Sequence, residues 1–479
     1  MRTMLKIINW IKAGKKIYLP LGINILVFCF FVHATDVISH AGIKTSFLSN
    51  ADTSISSGIR SQLTALHHTL YCPQSVDRIY KKNGYKLLWI APDSVKTHAS
   101  EAMLMLDCVL QFGLNYADYH PRYLTYEKLN ALTQTFGKQS NNDKAAFDVM
   151  LTDAMLTYMN HLHYGKFHPD YTARQIDAGI GGFDAVATLT DALKQENLNF
   201  MVTVLTVQPQ TTAYKSLQYH LHLLTGLYTG DCYEMPDSTV RKIAINLERL
   251  RWINSSKKTY ININIPSHTL TFHHADTVQV FKIIAAVYDP TKPKFNSGFD
   301  YFTVTPQKKI YQTFSKELLA KVSKDSSYLE NNLATRKLKS DYNSVITKGL
   351  LDKYHNPGLI AFHFPGLSRV YLFDASKQQA VKKDPTRLSS EFMVIENAEK
   401  LSALLLANEN ITETTSHLHK AVKANQIKTY ILKNAMPINV TYITCRVNKG
   451  EVITYPDGYG LDKALEMALY STTQPLAMK

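Results

Sequence analysis

IAINLERLRW at residues 243–252, followed by YININIPSHTLTF at residues 260–272, is where the hydrophobic period of this chain changes. In the first stretch, within a segment spanning 239–252, Ile243, Leu247 and Leu250 recur at helical spacing and mark one apolar side of an amphipathic helix. In the second, Ile261, Ile263 and Ile265 alternate with Asn262 and Asn264, which is the period of a strand. Further apolar runs at 269–272 and 278–287, with turn residues between them, read as consecutive antiparallel strands. Upstream the helical period rules from residue 59 to about 220. Phe147, Met150, Leu151, Ala154, Met155, Tyr158, Met159 and Leu162 recur at three and four, as core-facing residues of one helix do. The sequence therefore predicts an α+β protein whose helical N-terminal half meets a β-rich C-terminal half near Asn254.

The bulk numbers agree with two or more folded units. The chain has 479 residues, 45% of them apolar and 11% aromatic, too much core-forming material for one small domain or for a mainly disordered chain. Charged residues make up only 19%, yet 53 Lys and Arg against 39 Asp and Glu leave a net charge of +14. A basic surface suits nucleic acid, anionic lipid or an anionic wall polymer, and charge alone does not choose among them. The N-terminus narrows the choice. Arg2, Lys6, Lys12, Lys15 and Lys16 precede an uncharged apolar run at 17–34, the layout of a secretory signal or signal anchor. Val32-His33-Ala34 is an acceptable cleavage context, so removal and retention are both open, but either form predicts export. Residues 35–58, rich in Ser, Thr, Ala and Asp, read as a tether.

Of five cysteines, Cys29 falls in the apolar run and lacks the small residue that precedes a lipidated cysteine. Cys72, Cys108, Cys232 and Cys445 show no metal-type spacing, and export leaves disulfides and buried thiols equally open. His161, His163 and His168, and the pair His417 and His419, lack the spacing of a metal site, because residues two apart on a helix diverge. Surface or capping histidines are the simpler reading, and no metal is assigned.

The 243–272 stretch resembles the start of the catalytic domain of the large bacterial L,D-transpeptidases, which has a YkuD-type fold. The resemblance continues in order through residues 323–330, GLIAFHFP at 358–365, LKNAMPINVTYIT at 432–444, and Tyr455, Asp457, Tyr459 and Gly460. Upstream, Asn83-Gly84-Tyr85 with Trp89, Phe112-Gly113-Leu114 with Asp118-Tyr119-His120, and Leu151-Thr152-Asp153-Ala154 with Tyr164-Gly165-Lys166 are similar to the helical scaffold domain of the same enzymes. Most of residues 75–465 is covered. The resemblance implies a signal or anchor at 1–34, a tether at 35–58, a helical scaffold domain at 59–238, a mostly β YkuD-type domain at 239–465 and a tail at 466–479.

Those enzymes cross-link peptidoglycan with a cysteine thiolate that attacks a stem tetrapeptide, a histidine that accepts its proton, and amides aimed at the oxyanion. The family carries these in a Ser-His-Gly-Cys-Ile-Arg-Val run. The stretch that resembles it here is Ser389-Ser390-Glu391-Phe392-Met393-Val394-Ile395, with no gap before Glu396-Asn397-Ala398. Phe392 stands in place of the nucleophile, Ser390 of the histidine, Glu391 of the glycine and Val394 of the arginine. A second family histidine, after Tyr-Leu and before Asp, is matched by Phe373 in Tyr371-Leu372-Phe373-Asp374. A phenyl ring can neither attack a carbonyl nor accept a proton, so the covalent step is removed.

Other departures concern the substrate groove. Residues 219–241 are too few for the peptidoglycan-binding module that many of these enzymes carry there, the loop at 352–357 is short, and no tryptophan accompanies Pro306. Three functional readings result. The first is an inactive relative that binds peptidoglycan, its stem peptide or a wall-synthesis protein. The second is an active transferase using other residues, such as Ser389 or Ser390 with His363, or a relocated Cys445. The third is a membrane-anchored structural protein. None calls for a cofactor or nucleic acid, and the membrane enters only through the N-terminal segment. Lys377, Lys382, Lys383 and Arg387 cluster before the altered motif and form a candidate rim for anionic wall polymer or a partner's acidic face.

Overall fold

The computed structural model describes residues 45–90, 97–134, 139–195, 200–225, 237–253, 259–275, 277–285, 297–305, 359–363, 370–374, 392–409, 412–424 and 426–470. The apolar run at 17–34 lies outside them. Among the described residues no helix is long and apolar enough to cross a membrane. The chain from Ala51 to Lys479 forms one compact unit. Its elements follow the predicted order, helices to Arg251 and then strands.

The helical part is built around Asn141–Tyr164, which is buried on nearly every side. Helices Pro73–Lys82, Thr97–Asp107, Ala185–Leu193 and Phe200–Val207 pack on it. Its Asp148, fully buried, organises the neighbouring chain. Oδ1 accepts the Tyr80 hydroxyl (2.6 Å) and the Leu88 N–H (2.8 Å), and Oδ2 accepts the N–H groups of Trp89 (2.9 Å) and Ile90 (3.2 Å). Desolvation pushes this carboxyl up to about 6 against the four hydrogen bonds that lower it. Within and beyond the segment expected at 35–58 as a tether, a helix spans Thr45–Ala65. Ser and Thr are indifferent helix formers, but Ile55, Ile59, Leu63 and Leu66 recur at helical spacing and pack on the core, so tertiary burial decides.

The β part is a closed eight-stranded barrel. Its strands are β1 (Thr259–Asn264), β2 (Thr269–His274), β3 (Thr277–Ala285), β4 (Ser297–Thr305), β5 (Leu359–His363), β6 (Val370–Asp374), β7 (Phe392–Ile395) and β8 (Lys428–Thr441). They run in the order β1-β2-β3-β7-β6-β5-β4-β8. The pairs β1–β8 and β6–β7 are parallel and the others antiparallel. Alternation sorts the side chains. Ile261 and Ile263, Leu270 and Phe272, Phe281 and Ile283, Phe302 and Val304, and Ile360 and Phe362 share one buried core with Ala398, Leu401 and Leu405 of helix Ala398–Asn408. In β8, Ile431 pairs with Tyr301 and Met436 with Phe299, so five residues of advance on β8 face two on β4. The buried Glu409 serves that bulge by accepting the N–H groups of Lys433 (2.6 Å) and Asn434 (3.2 Å).

Helix Ser238–Arg251 contacts both parts. Every residue from Ile243 to Arg251 is buried, more than an amphipathic surface helix requires. Its buried Asn246, Glu248, Arg249 and Arg251 side chains each have a partner. Glu248 accepts the Phe167 N–H (2.7 Å) and the Trp252 indole N–H (3.2 Å), while Arg251 donates to the Phe112 carbonyl (2.6 Å) and the Tyr214 hydroxyl (2.9 Å). Asn246 exchanges hydrogen bonds with Thr444, accepting its N–H at 2.7 Å, and Asn264 of β1 does the same with the backbone of Ile443 (2.7 and 3.0 Å). Lys242 and Arg249 both pair with Asp462, which also accepts the Thr444 hydroxyl (2.7 Å). Two glycines let the helix in close. A β-carbon on Gly113 would lie 2.8 Å from the Ala244 Cα, and one on Gly165 2.6 Å from Glu248 Oε1. Asp462 opens helix Leu461–Tyr470, which crosses the 465/466 line expected to begin a tail.

Two predictions follow from these carboxylates. Asp148→Asn turns an amide NH₂ toward backbone N–H donors and should cost about 3 kcal/mol in chemical denaturation. Burial alone would raise the Asp462 carboxyl, but Lys242 and Arg249 hold it below the ordinary carboxylate range. A depressed folded pKa contributes stability above the unfolded value near 3.9 and loses it as pH falls through the lower folded value. The melting difference between the parent protein and Asp462→Asn should therefore be full at neutral pH and close as pH falls below about 4.

Candidate functional site

The altered motif falls on the parallel pair β6–β7. Tyr371 is registered with Phe392, Leu372 with Met393, Phe373 with Val394 and Asp374 with Ile395. Positions 373 and 392 thus occupy adjacent strands, two residues apart in register. Past Ile395 the chain turns sharply. The Glu396 N–H donates to the Lys282 carbonyl (2.9 Å), Asn397 adopts φ +62°, and helix Ala398–Asn408 begins. Ile395, Ala398, Leu401 and Leu405 are buried, so this strand–turn–helix is fixed to the barrel by its apolar residues. Asn397 is among the residues suited to a left-handed backbone, which accounts for its place at the turn.

Several predicted residues lie outside the described ones: Ser389, Ser390, Glu391, Lys377, Lys382, Lys383 and Arg387, as well as Cys29, Cys232, Pro306 and the stretches 323–330 and 352–357. His363 ends β5, registered with Tyr301, and β6 separates that strand from β7. The serines of the Ser–His pair considered from sequence lie outside the described residues.

Cys445 begins β9 (Cys445–Asn448), which pairs with β10 (Glu451–Thr454). It is fully buried, in a cluster with Ile243, Leu247 and Ile443, and its sulfur lies 3.7 Å from the Lys242 carbonyl. Desolvation pushes its thiol up to about 12, so it is a packing residue and not a relocated nucleophile. Cys72 is buried as well, and its thiol is raised mainly by desolvation.

The histidines take separate posts. His161, half-buried in the last turn of helix Asn141–Tyr164, has Nδ1 3.0 Å from the Tyr119 hydroxyl, and desolvation drives its pKa down to about 3. His163 Nδ1 meets the Val207 carbonyl at 2.9 Å, and His419 pairs with Glu399 at 2.7 Å on the surface. Among the described residues no group of three His, Cys, Asp or Glu is placed to hold a metal ion.

The scaffold signatures converge in space. Lys166 pairs with Asp118 (2.6 Å) and His120 with Asp153 (2.6 Å), joining DYH at 118–120 to TDA at 152–154 and YGK at 164–166. Asp153 also accepts the N–H groups of Tyr71 (3.0 Å) and Cys72 (2.8 Å). Tyr71 carried no sequence signal of its own. Its place in this cluster depends on a contact across 82 residues.

A family profile described as a scaffold domain matches residues 74–221. A Haemophilus influenzae protein named "Putative L,D-transpeptidase" is 21% identical over 341 residues, covering 67% of this chain and 68% of that protein.

If burial governs the thiols, Cys72 and Cys445 should remain unmodified after brief exposure of the native protein to a maleimide and become modified in denaturant. Site-resolved mass spectrometry reads both states, and rapid native labelling of Cys445 contradicts the assignment.

Proposed function

We propose that this chain, a member of the L,D-transpeptidase family, is an exported cell-wall protein that has lost the family's covalent step and keeps a binding role toward peptidoglycan. The observation that carries this reading is the chemistry at the two aligned positions, Phe392 and Phe373, on the neighbouring strands β7 and β6. Acyl transfer by this family's route needs a thiolate to attack the donor carbonyl and a base to take the thiol proton. Neither aligned position supplies one. Glu391 at the aligned glycine adds negative charge where an oxyanion would form, which opposes that intermediate.

The proposed organisation is a leader or anchor at 1–34, a linking segment at 35–58, a scaffold domain at 59–238 and a YkuD-type domain at 239–465 with a short tail at 466–479. The relative's name supports peptidoglycan as the ligand, and the basic leader-like N-terminus supports a periplasmic site of action. Binding to a wall-synthesis protein is compatible with the same surface. The barrel scaffold then serves to present loops and not to house a nucleophile. Lys377, Lys382, Lys383 and Arg387 are the proposed rim that meets anionic wall polymer, by an attraction that salt screens.

Incubation with a disaccharide-tetrapeptide should yield no cross-linked dimer and no released D-alanine, and a carbapenem should leave the protein mass unchanged. Phe392→Cys alone should remain inactive, since a thiol without a base or cationic neighbour keeps a pKa near 8.5. Cross-linked product from the unmodified protein overturns the reading. For the rim, replacement of all four cations by Ser should lower co-sedimentation with purified sacculi at low salt and matter little at high salt. Equal low-salt sedimentation of both proteins removes the rim.

A further inference from the structure

The DYH signature holds a geometry that neither the barrel nor the lost chemistry uses. His120 is nearly buried, at φ +55°, a backbone region that strains a residue with a β-carbon. Its Nε2 lies 2.6 Å from Asp153 Oδ2, and that carboxylate already accepts the N–H groups of Tyr71 and Cys72. Nε2 therefore carries the proton and donates. The other ring nitrogen, Nδ1, makes no hydrogen bond among the described residues. The Tyr71 ring stacks on the imidazole, with centroids 4.8 Å apart and planes 19° apart, and the Tyr123 ring meets it edge-on at 6.3 Å and 80°. Both tyrosines stay open to water, 42% and 43% exposed.

A second acceptor lies close by. Asp118 is near enough to Tyr71 to help raise its phenol, after burial. Its Oδ1 pairs with Lys166, while Oδ2 is buried with no hydrogen-bond partner among the described residues. An unmet buried acceptor calls for a donor. The Asp153 pair alone accounts for pinning the 71–72 turn, but not for two exposed tyrosines beside a strained histidine or for the unmet oxygen of Asp118.

We propose that Tyr71, His120 and Tyr123, with Asp118 beside them, form a carbohydrate-binding site that takes a pyranose ring of the wall glycan. The carbon–hydrogen faces of a sugar pack on aromatic rings, and one of its hydroxyls can donate to Nδ1 of His120. A stem-peptide carboxylate would meet two like charges, Asp118 and Asp153, so an uncharged sugar ring is the ligand proposed. The site would attach the scaffold to the glycan without a dedicated binding module. This inference rests on the wall-facing reading above.

The test uses the full-length protein with intact sacculi, and with glycan strands stripped of stem peptides by an amidase. The unmodified protein should bind both. Tyr71→Ala and Tyr123→Ala should each weaken binding to stripped strands about fivefold or more, and Tyr71→Phe should stay within about twofold. Far-UV circular dichroism and the melting temperature confirm that these surface variants fold. Undiminished strand binding by the Tyr71→Ala/Tyr123→Ala double variant overturns the site. Binding to sacculi without binding to stripped strands overturns the sugar assignment and leaves the wall-facing reading in place. Failure to bind sacculi overturns both.

Discussion

The buried polar partners of helix Ser238–Arg251 are the constraint on which the rest of the molecule depends. Glu248 and Arg251 are fully enclosed, and a buried charge without a partner is strongly destabilising. Glu248 Oε1 accepts from Phe167 and Trp252, and the Arg251 guanidinium donates to Phe112 and Tyr214, all in the helical part. Asn246 and Asp462, on the other side, hold the chain that leaves β8. One helix therefore positions the helical core and the end of the barrel by directional bonds as well as by apolar contact. Gly113 and Gly165 are part of the same constraint, because any side chain there would enter the helix or its glutamate.

In the proposed reading, this arrangement lets the fold persist without the covalent chemistry. None of the residues that hold Ser238–Arg251 in place belongs to the altered motif, and the barrel core is set by alternating apolar residues on β1 to β5 and β8 and by helix Ala398–Asn408. Stability and catalysis are carried by different residues. In the proposed reading, phenylalanine at 373 and 392 takes the place of a nucleophile and a base, while the bonds that hold helix Ser238–Arg251 come from other residues. The proposed function rests on surfaces, among them the loop cations and the tyrosine-flanked histidine of the scaffold.

Much of the fold was legible in the sequence because its periods are clean. Ile261 and Ile263 on β1, and Phe147 to Leu162 on the long helix, are buried as their spacing requires. The helix beginning at Thr45 was not, because its Ser and Thr residues hide an Ile55, Ile59, Leu63 pattern that matters only once the core is present. The polar role of NLERLRW was also hidden, since Asn246 and Arg249 find their partners about 200 residues away. At the altered site, spacing placed Phe373 and Phe392 by likeness to a family, and strand pairing now sets them on neighbouring strands. The rim cations and Ser389 to Glu391 lie outside the described residues and rest on sequence alone.

The central claim is that this protein engages the wall without forming a covalent bond to it. Mass spectrometry of the full-length protein mixed with a disaccharide-tetrapeptide tests it directly, under native conditions and then after denaturation of the same sample. The account predicts a complex in the native spectrum that disappears on denaturation and leaves the unmodified mass. An adduct that survives denaturation, with the mass of the muropeptide less the one D-alanine released on acyl transfer, contradicts it.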